Sequence, residues 1–170
     1  MSEIAINFGL SLVHLFVGLI SSVLSVFFGL RLLDKMTGYI DEWKELKKGN
    51  IAVGLLFVSV ILSVLIMIAP TALLSMSLID KFNPASAFFI NVFIAFANIF
   101  LATFFAIFSL YISFQVADRL TLDIDELAEL KKGNTAVALM ISAILLGIAI
   151  VVTRFITEMV SSLNLVGFAQ

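Results

Sequence analysis

Cysteine is absent from this chain, proline occurs twice and histidine once. The first absence excludes disulfides, thiol catalysis and cysteine-ligated metals. The single imidazole leaves no histidine pair to hold a metal ion. Charge is equally scarce: 13% of the 170 residues are Asp, Glu, Lys or Arg, and the net charge is −2. That balance offers no electrostatic handle for nucleic acid, so no such partner is expected. A phosphate loop, a dinucleotide fingerprint, an HExxH pair and a Ser/His/Asp set are missing too. We therefore expect neither an enzymatic reaction nor a cofactor.

What is present is apolar. Hydrophobic residues make up 62% of the chain and the mean hydropathy is +1.18. A soluble domain of this size would expose too much apolar surface at that composition. Residues 4–30, 51–79, 82–117 and 133–153 contain no charge at all. Each run reaches the roughly 20 residues that a helix needs to cross about 30 Å of hydrocarbon. One such run could be a buried core helix. Four of them specify an all-α integral membrane protein with four transmembrane helices, in direct contact with the lipid bilayer. Ile4 has no basic flank before it and no small-residue cleavage site follows, so the first run is expected to be a span and not a cleaved leader.

The chain is also a duplication. Shifted by 84 residues, DKMTGYIDEWKELKKGNIAVGL (34–55) aligns with DRLTLDIDELAELKKGNTAVAL (118–139), with fourteen of 22 positions identical. The same shift pairs Asn7 with Asn91, His14 with Asn98, Phe16 with Phe100 and Ser25 with Ser109. The pattern predicts two membrane units, 1–82 and 83–170, each a pair of spans joined by a charged loop. Because each unit crosses twice, the units are parallel repeats. Eight of the ten Lys and Arg residues lie in the two charged loops, leaving Lys81 and Arg154 opposite. That asymmetry puts the loops in the cytoplasm and both termini outside. A pseudo-twofold axis along the membrane normal is the expected relation between the units.

The loops read as short amphipathic interfacial helices. Ile40, Trp43 and Leu46 recur at helical spacing, as do Ile124, Leu127 and Leu130, with acids first and lysines last. Gly49 and Gly133 suit a left-handed stop, and Asn50 and Asn134 stand where the next membrane helix needs an N-cap. Asp34, Asp41, Asp118 and Asp125 are near-interface carboxylates expected to cap and to pair with lysines; an ion-binding vestibule is the alternative. On the other side, Asn83-Pro84 offers an N-cap and a first-turn proline for the third span. Pro70 should disturb the second span and free the carbonyl of Ile66.

An Asp at the end of a helix, followed by EL-KKGN-AV opening the next, resembles the inner-membrane proteins grouped as domain of unknown function 350. The most specific element is Gly-Asn-x-Ala-Val at 49–53 and 133–137. The resemblance implies a two-helix unit present twice and a place in the cell inner membrane. It brings no catalytic or transport residues with it.

Within the membrane, Asn7, Ser11, His14, Gly18, Ser21 and Ser25 fall at steps of four and three, one face of a helix. The third span answers with Asn91, Asn98 and Ser109. Small and polar residues of this kind form packing seams between helices or subunits; the alternative is a polar path for protons or ions. Replacement of His14 by Asn98 in the second unit favours a hydrogen bond over proton relay, because an amide does not titrate. Phe89, Phe93, Phe96, Phe100 and Phe104 share a face suited to lipid or aromatic packing. Arg154 and Glu158, one turn apart, suit a mutually neutralising pair at the outer interface. The expected function is a non-enzymatic membrane subunit that oligomerises with itself or joins a larger membrane complex. The rival is a small ion or proton channel or transporter lined by the polar faces of the first and third spans.

Overall fold

A computed structural model describes residues 2–38, 41–80, 85–120 and 125–167, all helices and tight turns. The elements in chain order are α1 (Ser2–Met36), α2 (Glu42–Lys47), α3 (Ile51–Asp80), α4 (Ala85–Leu120), α5 (Glu126–Lys131) and α6 (Thr135–Gly167). Four of these, α1, α3, α4 and α6, are long and apolar enough to cross a membrane. A helix pairs every interior N–H and C=O within its own segment, which hydrocarbon demands. Their 30–36 residues correspond to roughly 45–54 Å at 1.5 Å per residue. That exceeds the roughly 30 Å hydrocarbon layer, so helices of this length have turns to spare beyond it. Ile40, Ile124 and Asn83-Pro84 lie outside the described residues.

α3 is the central helix. Val53, Leu56, Val60, Val64, Met67 and Ile68 of α3 are buried together with Ala102, Ala106 and Leu110 of α4 and Ala138, Ile141, Leu145 and Ala149 of α6. α1 joins this core through close approach. A Cβ on Gly29 would come within 2.7 Å of a Val64 methyl carbon, so α1 sits against α3 at a distance only glycine permits.

The expected pseudo-twofold arrangement is not what forms. α3 packs against α1, α4 and α6, and α4 against α1, α3 and α6, which makes a diamond with α1 and α6 at its far corners. A twofold would make α6 meet α1 as α3 meets α4, and among the described residues no comparable α1–α6 interface exists. Burial agrees: 56% of the most apolar stretch of α3 is buried, against 33% in its counterpart α6. Equivalent sequences say that the two units fold alike; they do not say which faces meet.

Pro70 sits inside α3, which continues through it. Lacking an N–H, it leaves the Ile66 carbonyl without its helical donor. The hydroxyl of Thr153 on α6 lies 3.3 Å from that oxygen and 2.6 Å from the Ala149 carbonyl of its own helix. A second α6 hydroxyl, Ser142, reaches the Leu55 carbonyl at 3.4 Å. Side chains of α6 thus supply donors to the backbone of α3.

Candidate functional site

Each unit re-enters the membrane through the same elbow. Asp41 and Asp125 start the short helices, their Oδ1 atoms accepting from the backbone N–H of Lys44 and Ala128, each at 3.0 Å. Gly49 and Gly133 end them at φ +78° and +83°, the left-handed region that strains any L side chain. Asn50 Oδ1 then accepts from the N–H groups of Ala52 and Val53 at 3.1 and 3.3 Å, and Asn134 Oδ1 from Ala136 and Val137 at 3.1 and 3.4 Å. Each asparagine amide is held by a glutamate, Asn50 by Glu45 at 3.3 Å and Asn134 by Glu129 at 2.8 Å. The same carboxylates accept from Lys48 and Lys132 at 2.6 and 2.7 Å. These bonds hold both carboxyls below their ordinary range, Lys48 and then Asn50 for Glu45, Asn134 and then Lys132 for Glu129. Sequence pattern points to the glycine and the asparagine but misses the glutamate, because a five-residue spacing is not a helix-face pair. Its signal was identity in both copies.

The two elbows differ in one respect. Asn50 Nδ2 also donates to the Leu130 carbonyl at 2.9 Å, tying the first unit to the end of α5. Among the described residues Asn134 makes no equivalent bond to another element.

Asp34 and Asp118 do not cap these turns. α1 and α4 run on to Met36 and Leu120, which places both aspartates inside membrane helices and leaves capping to Asp41 and Asp125. Each lies instead near the acid that opens the short helix. The Thr37 hydroxyl donates to Glu42. Burial, and next the neighbouring charge of Asp34 or Asp118, pushes Glu42 and Glu126 above the ordinary carboxylate range. Glu126 borders a cavity of about 60 Å³ with Met36, Thr37, Phe114, Asp118 and Leu130 also in its wall. Glu42 and Glu45 turn inward on α2, whereas Trp43 stays exposed, edge-on to Phe57 with ring centroids 5.3 Å apart.

The intramembrane seam is only half covered. Ser21, Ser25 and Asn98 are buried, while Asn91, Ser109 and His14 are half-buried. Ser25 Oγ and Thr103 Oγ1 lie 2.7 Å apart and join α1 to α4. Asn7 and Ser11 stay on the outer surface of α1, with the Ser11 hydroxyl donating to the Asn7 carbonyl at 2.9 Å. Thr103 escapes sequence pattern because its repeat counterpart is Leu19, off the polar stripe. A crevice of about 200 Å³ lies between α1 and α4, walled by Ser21, Ser25 and Thr103 with Leu24, Phe28 and Phe96 among its apolar residues. Four hydroxyl residues of α3, Ser59, Ser63, Thr71 and Ser75, are buried as well, a row at steps of four, eight and four residues that the polar stripe of α1 overshadows.

Elsewhere, Phe89, Phe93, Phe100 and Phe104 face outward from α4. In the C-terminal part of α6, Arg154 Nε lies 3.7 Å from Glu158 Oε1, both side chains exposed. No group of three or more metal-ligating side chains occurs among the described residues. The arrangement provides helix stops, caps and interhelical hydrogen bonds.

No curated protein and no solved structure matches the chain. The profile of the family described as Domain of Unknown Function (DUF350) matches twice, over residues 7–97 and 88–170. Two matches that together span almost the whole chain, on four membrane-length helices with one elbow repeated, make this protein a member of the DUF350 family.

Proposed function

We propose that this protein is a non-enzymatic subunit of an oligomeric assembly in the cell inner membrane, with its charged elbows in the cytoplasm. The observation that carries this reading is the polar stripe of α1. Its later half, Ser21 and Ser25, is packed within the chain, while its earlier half, Asn7 and Ser11, is exposed on the candidate span Ile4–Met36. Only 17% of the most apolar stretch of α1 is buried. Polar and small residues on such a face gain hydrogen bonds and close packing when another helix covers them. The eight-to-two distribution of Lys and Arg supports the orientation.

An ion or proton path along α1 and α4 is the second reading. The Ser21–Ser25–Thr103 cluster would be part of it, but Leu24, Phe28, Phe96, Ile99 and Phe100 line the same crevice. That apolar wall favours assembly. The test is native mass measurement of the protein in lipid nanodiscs, unmodified and as Ser11→Leu. Assembly predicts a multimer that Ser11→Leu weakens, because a bulky side chain blocks close approach. A monomer at every protein-to-lipid ratio, or ion flux from monomers in proteoliposomes, would refute it.

A further inference from the structure

We infer that copies of this chain associate head to tail, α6 and the end of α4 of one copy docking on α1 and α3 of the next, by repeating the interface that joins the two units within one chain. The inference rests on the assembly reading and specifies its geometry.

The diamond is a heterologous packing: the first unit presents one surface, the second unit a different one. Since the units are copies, the second retains a version of the surface that the first has used, and the first a version of the surface that the second has used. Heterologous interfaces leave such complementary faces open until another copy fills them.

The unfilled faces can be read position by position. On α3, Ser59, Ser63, Met67, Thr71 and Ser75 are all buried to 2% exposure or less. Their counterparts 84 residues on, Ala143, Gly147, Val151, Phe155 and Met159 of α6, are all exposed. On α4, Ala95, Ile99, Thr103, Ala106 and Leu110 are buried, whereas the matching Ser11, Leu15 and Leu19 of α1 are exposed and Ser22 and Val26 half-buried. Small residues persist at the matched positions Ser59/Ala143, Ser63/Gly147, Ala95/Ser11 and Ala106/Ser22, so the open faces keep the shape that permits close helix approach.

Specific contacts extend the correspondence. Within the chain Ser142 reaches Leu55 and Thr153 reaches Ile66. Shifted by one unit, these become Leu139 against Val58 and Ile150 against Ala69 of the next copy. All four are exposed, Leu139 at 58%, Val58 at 52% and Ile150 at 64%. In a closed twofold they would pack inside the chain as Leu55 and Ser142 do. At the elbows, the Asn50 bond to the Leu130 carbonyl becomes Asn134 to the Leu46 carbonyl of the next copy. The occupant of both faces is therefore a second copy of this chain.

The chain has no cysteine, so introduced thiols report without background. Differently tagged Val58→Cys and Leu139→Cys chains, co-expressed and oxidised with copper phenanthroline in native membranes, should form a mixed disulfide dimer. Neither variant alone should link, and both cysteines in one chain should give a ladder of covalent multimers. Gly147→Leu, at an exposed position where an added Cβ meets nothing within 4 Å in the single chain, should leave the protein folded and abolish the ladder. Self-linking of either single variant would mean a symmetric interface and overturn the inference. A multimer by native mass that forms no mixed link would overturn it while sparing the assembly reading; a monomer would end both.

Discussion

The Thr153 hydroxyl offers a quantitative check on how α3 and α6 hold together. Thr153→Val keeps the shape of the side chain and deletes one donor that lies 2.6 Å from the Ala149 carbonyl and 3.3 Å from that of Ile66. The Ala149 carbonyl keeps the helical N–H of residue 153, so its loss is minor. The Ile66 carbonyl has no such reserve, because Pro70 has no N–H and the bilayer has no water to give. Stranding a buried acceptor costs about 1–3 kcal/mol, while interhelical hydrogen bonds in membranes average about 0.6 kcal/mol. We expect a loss of about 1–2 kcal/mol, between these limits. The decisive comparison is the same change in a Pro70→Ala background, where residue 70 again donates to Ile66. There Thr153→Val should cost about 0.5 kcal/mol or less. Reversible unfolding in mixed micelles, followed by helical circular dichroism, measures both arms of the cycle. Equal costs in the two backgrounds would show that the hydroxyl does not compensate the proline.

Three further outcomes are expected. In micelles dilute enough to hold the protein as separate monomers, Asn50→Ala should destabilise more than Asn134→Ala in the same unfolding assay, because both remove an N-cap worth about 0.5–2 kcal/mol but within one chain only Asn50 also bonds Leu130; equal losses there would discount that bond. Glu126 is held above its ordinary value of 4.5 in the folded chain, so its contribution to stability is fullest below that pH and falls as pH rises through the raised value. Glu126→Gln should remove this fall and leave the protein more stable than the parent at neutral pH, which pH-dependent unfolding would show. Cysteines at Lys47 and Lys131 should be shielded from an impermeant thiol reagent added outside cells and one at Ser162 should react; external labelling of either elbow would contradict the parallel-repeat topology.

Much of the fold is legible in the sequence because membranes impose long charge-free runs and because duplication writes the elbow twice. The stops at Gly49 and Gly133 and the caps at Asn50 and Asn134 follow from local backbone chemistry, which depends on residues close in the chain. Pro70 also announces that Ile66 needs a donor. The donor itself, Thr153, lies 83 residues beyond Pro70 and no local pattern points to it. Thr103 opposite Ser25 is hidden for the same reason. Asp34 and Asp118 mislead because a membrane helix can continue beyond the hydrocarbon, so the first acid after an apolar run need not mark its end. The twofold expectation fails on a different ground. Repetition fixes the fold of each unit, whereas the choice of contacting faces rests on side-chain packing along entire helices.

The unequal burial of α3 and α6 also sets unequal rules for mutation. One ancestral helix face exists twice in this gene product, enclosed at Ser59, Ser63, Met67, Thr71 and Ser75 and open at Ala143, Gly147, Val151, Phe155 and Met159. In a saturation scan read by folding alone, bulky or charged replacements should be rejected at the first set and mostly accepted at the second. Read by assembly, the second set should become as intolerant as the first. The difference between the two maps would separate the selection that keeps this chain folded from the selection that keeps it in company.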